Sequence, residues 1–173
     1  REVASAGRSN AGKSSALNLL TGQRSLARTS KTPGRTQMLN FFSVAPDRHL
    51  VDLPGYGYAQ VPDAIRRHWQ ALMERYLRER AALQGLLLLV DVRHPLTGLD
   101  RQLLDCRAAR GLPVHILLTK ADKLSRGKAL VALRHLERTL HDDSPGVSAQ
   151  LFSALSGEGI DEALAQLDRW LGY

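Results

Sequence analysis

The octet Gly7-Arg8-Ser9-Asn10-Ala11-Gly12-Lys13-Ser14 constrains this chain more than any other feature. It fits the phosphate-loop pattern G-x-x-x-x-G-K-[ST], with a short apolar stretch from Val3 to Ala6 before it and a helical stretch from Ser14 to Leu20 after it. A strand, a glycine-rich loop and a helix in that order make an anion site. The glycines let backbone N–H groups turn inward, and the helix N-terminus adds a favourable dipole. In such a loop Lys13 reaches the β- and γ-phosphates of a nucleoside triphosphate and the Ser14 hydroxyl faces Mg²⁺. A glycine-rich turn that binds nothing fits the flanks poorly.

Short apolar runs alternate with amphipathic stretches along the rest of the chain. Strands are expected over 3–6, 39–45, 49–53, 86–92, 113–118 and 147–152, with a turn at Pro46-Asp47 between the second and third. The runs at 86–92 and 113–118 are almost wholly apolar, as in strands covered by helices on both faces. Helices are expected over 13–20, 63–83, 99–110, 125–140 and 160–171, the second with Ile65, Trp69, Leu72, Met73, Tyr76 and Leu77 on one stripe. This alternation predicts an α/β fold, a three-layer P-loop NTPase with a mostly parallel sheet of about six strands and about five flanking helices.

A chain of 173 residues, 43% hydrophobic, is expected to form a single domain over 1–173. No apolar run approaches the ~20 residues of a membrane span. Cys106 is the one cysteine, so a disulfide framework is excluded and a reducing, cytoplasmic setting is expected. No signal-peptide pattern is visible. The chain opens at Arg1, almost inside the first expected strand, which predicts that a short N-terminal extension precedes it in the native protein.

Later segments choose the nucleotide. Asp52-Leu53-Pro54-Gly55 closes an apolar strand, where a carboxylate can hold a water on Mg²⁺ and the Gly55 N–H can meet the γ-phosphate. Thr119-Lys120-Ala121-Asp122 fits [NT]-K-x-D. Asp122 would accept hydrogen bonds from guanine N1–H and the 2-amino group, and the Lys120 stem would lie over the ring. Adenine offers no donor at either place, and an unpaired carboxylate costs at least ~1–3 kcal/mol per lost bond. After the last strand, Phe152-Ser153-Ala154 can bring a backbone N–H to guanine O6. Thr36, in the irregular stretch from Gln23 to Gln37, directly precedes a strand and is preferred over Thr32 as a Mg²⁺ ligand that enters only when the γ-phosphate is present, an order–disorder switch.

With these segments in place the sequence resembles the small-GTPase-like translation-factor class, and closely the EngB (YihA/YsxC) family within the TrmE-Era-EngA-EngB-septin-like group. The matching segments are Gly7 to Ser15, Arg28-Thr29-Ser30-Lys31-Thr32-Pro33-Gly34-Arg35-Thr36-Gln37, Leu39-Asn40-Phe41-Phe42, Asp52-Leu53-Pro54-Gly55-Tyr56-Gly57-Tyr58-Ala59 and Thr119-Lys120-Ala121-Asp122. The resemblance implies a bacterial GTPase that acts in 50S ribosomal subunit assembly, with a link to cell division and septation. It implies as partners GTP or GDP, the 50S precursor and rRNA, with no DNA and no membrane span, and a monomer. Nucleotide contacts are implied along Gly7 to Ser15, Gly34 to Gln37, Asp52 to Gly55, Thr119 to Asp122 and Phe152 to Ala154, with Lys13, Asn10, Thr36 and Gly55 in the reaction and Ser14, Thr36 and water-bridged Asp52 around Mg²⁺. Ser5 departs from the bulkier apolar residue expected there, which would loosen local packing.

Many GTPases place a water-orienting glutamine after the D-x-x-G glycine, where this chain has Tyr56, so slow intrinsic hydrolysis is expected. Tyr56 also fits a surface aromatic in a loop. Related GTPases with Asn at the position of Asn10 can use K⁺ near the transferring phosphoryl, which sets K⁺ stimulation against a plain turn role for Asn10. The net charge of +7 favours polyanions, RNA first, and 5% aromatic residues argue for phosphate contacts rather than base stacking. Arg24, Arg28, Lys31 and Arg35 form one basic group, and Arg66, Arg67, Arg75, Arg78 and Arg80 another, which equally fits a solvated helix face. The six histidines show no metal-ligand spacing. A regulatory GTP-binding module for a division protein, and a P-loop ATPase or kinase disfavoured by Asp122, are the competing functions.

Overall fold

The computed structural model describes residues 1–22, 39–57, 61–141 and 144–173. Strands β1 (Glu2–Gly7), β2 (Asn40–Ala45), β3 (Arg48–Asp52), β4 (Leu83–Asp91), β5 (Val114–Thr119) and β6 (Val147–Leu151) form one sheet in the order β2-β3-β1-β4-β5-β6. All neighbours pair in parallel except β2 and β3, which form an antiparallel hairpin at one edge. The hairpin turns at Asp47, whose φ of 57° is one that Asp tolerates. Helices α1 (Lys13–Thr21), α2 (Asp63–Glu79), α3 (Gly98–Ala108), α4 (Arg126–His141) and α5 (Ile160–Leu171) complete the predicted α/β arrangement.

The uninterrupted apolar run of β4 serves two cores. Leu86, Leu88 and Val90 enter one core, which also takes Met73 and Leu77 of α2, Leu103 and Leu104 of α3, and Leu136 and Leu140 of α4. Leu87 and Leu89 enter the other, with Ala16 and Leu20 of α1 and Ala163, Leu167 and Trp170 of α5. A strand buried on both faces cannot alternate polar and apolar residues, which is why its sequence reads as one block. Gly85 makes room for α5: a Cβ there would land on the Trp170 indole.

Two expectations need correction. The helix expected to reach residue 83 ends at Glu79, and β4 starts at Leu83 rather than at 86. Leu83 pairs with Glu2 of β1, and the buried Glu2 carboxylate captures Arg80 through Nε at 2.9 Å and Nη2 at 2.5 Å, which draws the chain out of the helix. Arg80 is therefore committed to Glu2 and leaves the basic helix face expected of α2. Ser5 is the residue that departs from the expected bulkier apolar one. It is fully buried on β1, and its Oγ lies 3.5 Å from Asp52 Oδ1.

Candidate nucleotide and metal site

The loop between β1 and α1 lies at the C-terminal ends of the parallel strands, the ligand side of open α/β sheets. Gly7 runs against β4, where a Cβ would lie 2.8 Å from the Leu89 carbonyl oxygen. Gly12 caps α1 in the left-handed conformation, φ 79°. Asn10 also adopts a left-handed backbone, φ 68°, so the turn itself already favours asparagine there. Ser14 and exposed Ser15 occupy the first turn of α1.

The Asp52-to-Gly55 segment lies alongside this loop. Leu53 N donates to Ser5 O at 2.9 Å, and Ser9 N donates to Tyr56 O at 2.7 Å, extending the β1–β3 pairing. Lys13 Nζ lies 2.6 Å from Asp52 Oδ1 and also donates to the Leu53 carbonyl oxygen. Lys13, expected to meet phosphate, and Asp52, expected to lie near Mg²⁺, thus face each other. Pro54 O accepts from Trp69 Nε1 of α2 at 3.2 Å.

Tyr56 is not a surface aromatic. It is 4% exposed, its ring lies 5.3 Å from that of Trp69, and its hydroxyl donates to Asp100 Oδ1 of α3. Burial and the adjacent Asp100 charge push the phenol well above its ordinary pKa. Asp100 Oδ2 accepts from Thr97 N and Oγ1, closing a capping box on α3. Arg8 lies beside the next residue, Gly57, with Nε 2.9 Å from where a Cβ would stand.

The Thr119-to-Asp122 segment leaves β5 and grips the phosphate loop. Thr119 Oγ1 donates to Ala11 O, and Lys120 Nζ to Asn10 O, each at 2.6 Å. Lys120 has a left-handed backbone, φ 59°. Asp122 is exposed, and its Oδ1 accepts from Ser153 Oγ at 2.7 Å. Ser153 is fully buried; its Oγ accepts from Ser156 N at 3.0 Å, and its own N–H goes to Glu158 O at 3.0 Å. Of the dipeptide considered for guanine O6, this commits the Ser153 N–H elsewhere and leaves that of Ala154. Phe152 is buried in the core beneath, and Ala121 N donates to its carbonyl at 3.1 Å.

Gly34, Arg35, Thr36, Gln37 and Thr32 lie outside the described residues, as do Arg24, Arg28, Lys31, Tyr58 and Ala59. Among the described residues no group of three His, Cys, Asp or Glu side chains could hold a metal, and no helix is long and apolar enough to cross a membrane. His115 is held between Ser148 and Gln150, which supports a structural role.

Three side chains at this end of the sheet have no place in the motifs: Asp91, Arg93 and Asp100. Asp91 ends an apolar strand just as Asp52 does, and that position was the one signal in the sequence. Burial pushes the Asp91 carboxyl up, but hydrogen bonds from the Arg93 side chain and backbone N–H, with the Arg93 and Lys120 charges, outweigh it and hold the group at about 2.

A family model described as 50S ribosome-binding GTPase matches residues 2–120. A probable GTP-binding protein EngB of Thiobacillus denitrificans is 58% identical over 170 residues, covering 98% of this chain and 82% of the relative. One of Stenotrophomonas maltophilia is 56% identical over 172 residues, covering 99% and 86%. Among solved structures, a crystal structure of a probable GTP-binding protein EngB superposes with a TM-score of 0.78 at 19% identity, covering 99% of this chain and 98% of the other. Aquifex aeolicus Era bound to GDP and AlF4⁻ gives 0.73 at 22%, covering 99% and 57%. At those identities the superpositions speak for the fold.

Proposed function

The chain belongs to the EngB family of GTP-binding proteins, and on that premise we propose that it is a cytoplasmic, monomeric, Mg²⁺-dependent GTPase that hydrolyses GTP slowly and switches in 50S ribosomal subunit assembly. The observation that carries this reading is the bonding of Thr119 and Lys120 to the carbonyls of Ala11 and Asn10, with Asp122 held by Ser153. Hydrogen bonds then join the segment read for base recognition to the one read for phosphate recognition, which supports binding of the guanine nucleotide as a unit.

In this reading Asp122 accepts from the guanine N1–H and 2-amino group, the Ala154 N–H meets O6, and the Lys120 stem covers the ring. Backbone N–H groups of the loop other than those of Ser9 and Ala11, which are bonded to Tyr56 O and Arg8 O, wrap the phosphates, and Lys13 leaves Asp52 to reach the β- and γ-oxygens. Ser14, Thr36 and, through water, Asp52 would hold Mg²⁺, a hard cation suited to hydroxyl, carboxylate and phosphate oxygens, which would offset charge on the transferring phosphoryl. Thr36 with its neighbours Gly34, Arg35 and Gln37, and the Gly55 N–H, read the γ-phosphate. Tyr56, with its hydroxyl on Asp100, offers no group to orient the attacking water, which supports a low rate. Asn10 as a K⁺ ligand is a further part of the proposal, and equal turnover in KCl and NaCl would remove it.

Exposed Arg67 and Arg78 on α2 supply charge for rRNA phosphates; Arg66 and Arg75 of the same helix face Asp63 at 3.4 Å and Glu79 at 3.1 Å. Co-sedimentation with 50S particles tests the proposal. The protein should pellet with a non-hydrolysable GTP analogue, less with GDP, and less as salt rises. Binding that ignores the nucleotide would overturn the switch. Absence of binding in both states would favour a partner in cell division, the family's other association.

A further inference from the structure

The base site as read above depends on where the Lys120 side chain stands, and Lys120 is held from two sides. Its Nζ donates to the phosphate-loop carbonyl of Asn10 at 2.6 Å and lies 3.6 Å from Asp91 Oδ2 at the end of β4. Asp91 pairs in register with Thr119, the residue before Lys120, so the sheet itself sets the carboxylate beside the point where this segment departs. The side chain of Asp91 is 10% exposed, while that of Lys120 is 33% exposed.

Asp91 is in turn fixed by Arg93. The Arg93 N–H and Nε donate to Oδ1 at 2.9 and 3.0 Å, and Nη2 donates to Oδ2 at 2.8 Å. Val92 N donates to Thr119 O at 3.0 Å, closing the same corner through the backbone. Asp91, Arg93 and Lys120 border a cavity of about 320 Å³ beside Asn10. A lysine side chain loses substantial rotamer freedom when fixed. One hydrogen bond at its tip leaves the stem free to swing, whereas a second, charged neighbour at the ammonium restricts it.

We propose that Asp91 is a positioning residue for guanine nucleotide binding: it anchors the Lys120 ammonium so that the aliphatic stem forms a fixed shelf for the base. This rests on the guanine-site reading of Thr119 to Asp122. Asp91 touches no nucleotide atom; it acts through Lys120, and Arg93 acts through Asp91. The expected signature is faster nucleotide release, because a shelf that swings away covers the base for less of the time.

Release of N-methylanthraniloyl-GDP from the full chain tests this, with Asp91→Asn, Asp91→Glu, Lys120→Met and the double substitution Asp91→Asn with Lys120→Met. Asp91→Asn should speed release about 3- to 10-fold, and Asp91→Glu, which keeps the charge, should recover much of the loss. Lys120→Met keeps the stem without the ammonium. On that background Asp91→Asn should add nothing further, a non-additivity that a merely structural aspartate would not produce. Accelerated release in Lys120→Met with wild-type release in Asp91→Asn, or a full Asp91→Asn effect in the double variant, overturns the assignment alone. Wild-type release in Lys120→Met, whose stem still covers the base, also overturns this inference alone, whereas displacement of the labelled GDP by ADP as readily as by GDP overturns the guanine-site reading and this inference with it.

Discussion

Lys13 Nζ and Asp52 Oδ1 lie 2.6 Å apart, with side-chain exposures of 12% and 10%, so the lysine of the phosphate loop and the carboxylate that ends β3 form one shielded ion pair. In the proposed nucleotide complex each has a different partner, phosphate for Lys13 and a Mg²⁺-bound water for Asp52. Asp52→Asn removes the charge that competes for Lys13 while also weakening the metal's outer shell. GDP binding in EDTA should therefore be retained, while the slowing of GDP release by Mg²⁺ should shrink about tenfold. Release rates with and without Mg²⁺ measure both. An unchanged Mg²⁺ effect would remove Asp52 from the metal's surroundings.

Tyr56→Phe separates the packing of that ring from its hydroxyl. The contact with Trp69 survives, and Asp100 keeps Thr97 but loses one donor. Stability should fall by about 1–3 kcal/mol, read as a lower urea midpoint at constant slope. GTP turnover should change by less than about threefold, because the proposed mechanism gives the phenol no part in orienting water. A large loss of turnover with stability intact would show that Tyr56 replaces the missing glutamine after all.

These two relationships mark where the sequence stops being informative. The phosphate loop, Asp52 and the Thr119-to-Asp122 segment are legible because each sits at a strand end, where spacing along the chain converts directly into place in the fold. The block of leucines in β4 is legible for a related reason: no other element of that length is buried on both faces. Side-chain pairing across long separations is not legible. Lys13 and Asp52 are 39 positions apart, and Tyr56 and Asp100 are 44. Tyr56 sits between two glycines and reads as a loop residue until the positions of Trp69 and Asp100 are known. The end of α2 fails for the same cause. The apolar positions from Ile65 through Leu77 to Leu83 continue at helical spacing, and what stops the helix is Glu2, distant in sequence, taking Arg80.

Acid should destabilise the protein in two separable stages. Burial lowers the pKa of His115 below its ordinary 6.5, against the opposing hydrogen bond with Gln150. The folded chain then takes up that proton less readily than the unfolded one, so stability declines as pH drops below about 6.5. The Arg80 hydrogen bonds hold Glu2 below its ordinary 4.5, and Asp91 stands at about 2 against 3.8. Their contribution is complete above about pH 4.5 and is lost as pH falls toward 2. His115→Gln should flatten only the upper stage, and Glu2→Gln and Asp91→Asn only the lower one. Urea midpoints from pH 3 to pH 8 resolve the two, and a His115→Gln profile parallel to the wild type between pH 6.5 and 5 would contradict the first.

Ser153 should matter for base recognition although it is fully buried and contributes no base contact of its own. Its hydroxyl donates to Asp122 Oδ1 at 2.7 Å and accepts from Ser156 N at 3.0 Å, so it fixes the carboxylate and the loop after β6 together. Asp122 itself is exposed, and without that bond its carboxylate turns freely in water. Ser153→Ala should weaken GDP binding about tenfold, less than the full value of a buried charged hydrogen bond because water replaces the lost donor at the carboxylate. Discrimination against ATP should fall with it. Asp122→Asn makes the complementary change, turning one acceptor into a donor, and should move preference from guanine to xanthine nucleotides. Calorimetric titration of both variants with GDP, XDP and ADP distinguishes the roles. A xanthine switch in Asp122→Asn with wild-type GDP affinity in Ser153→Ala would mean that Asp122 finds its orientation from the base alone, and that the Ser153 bond serves the loop rather than the ligand.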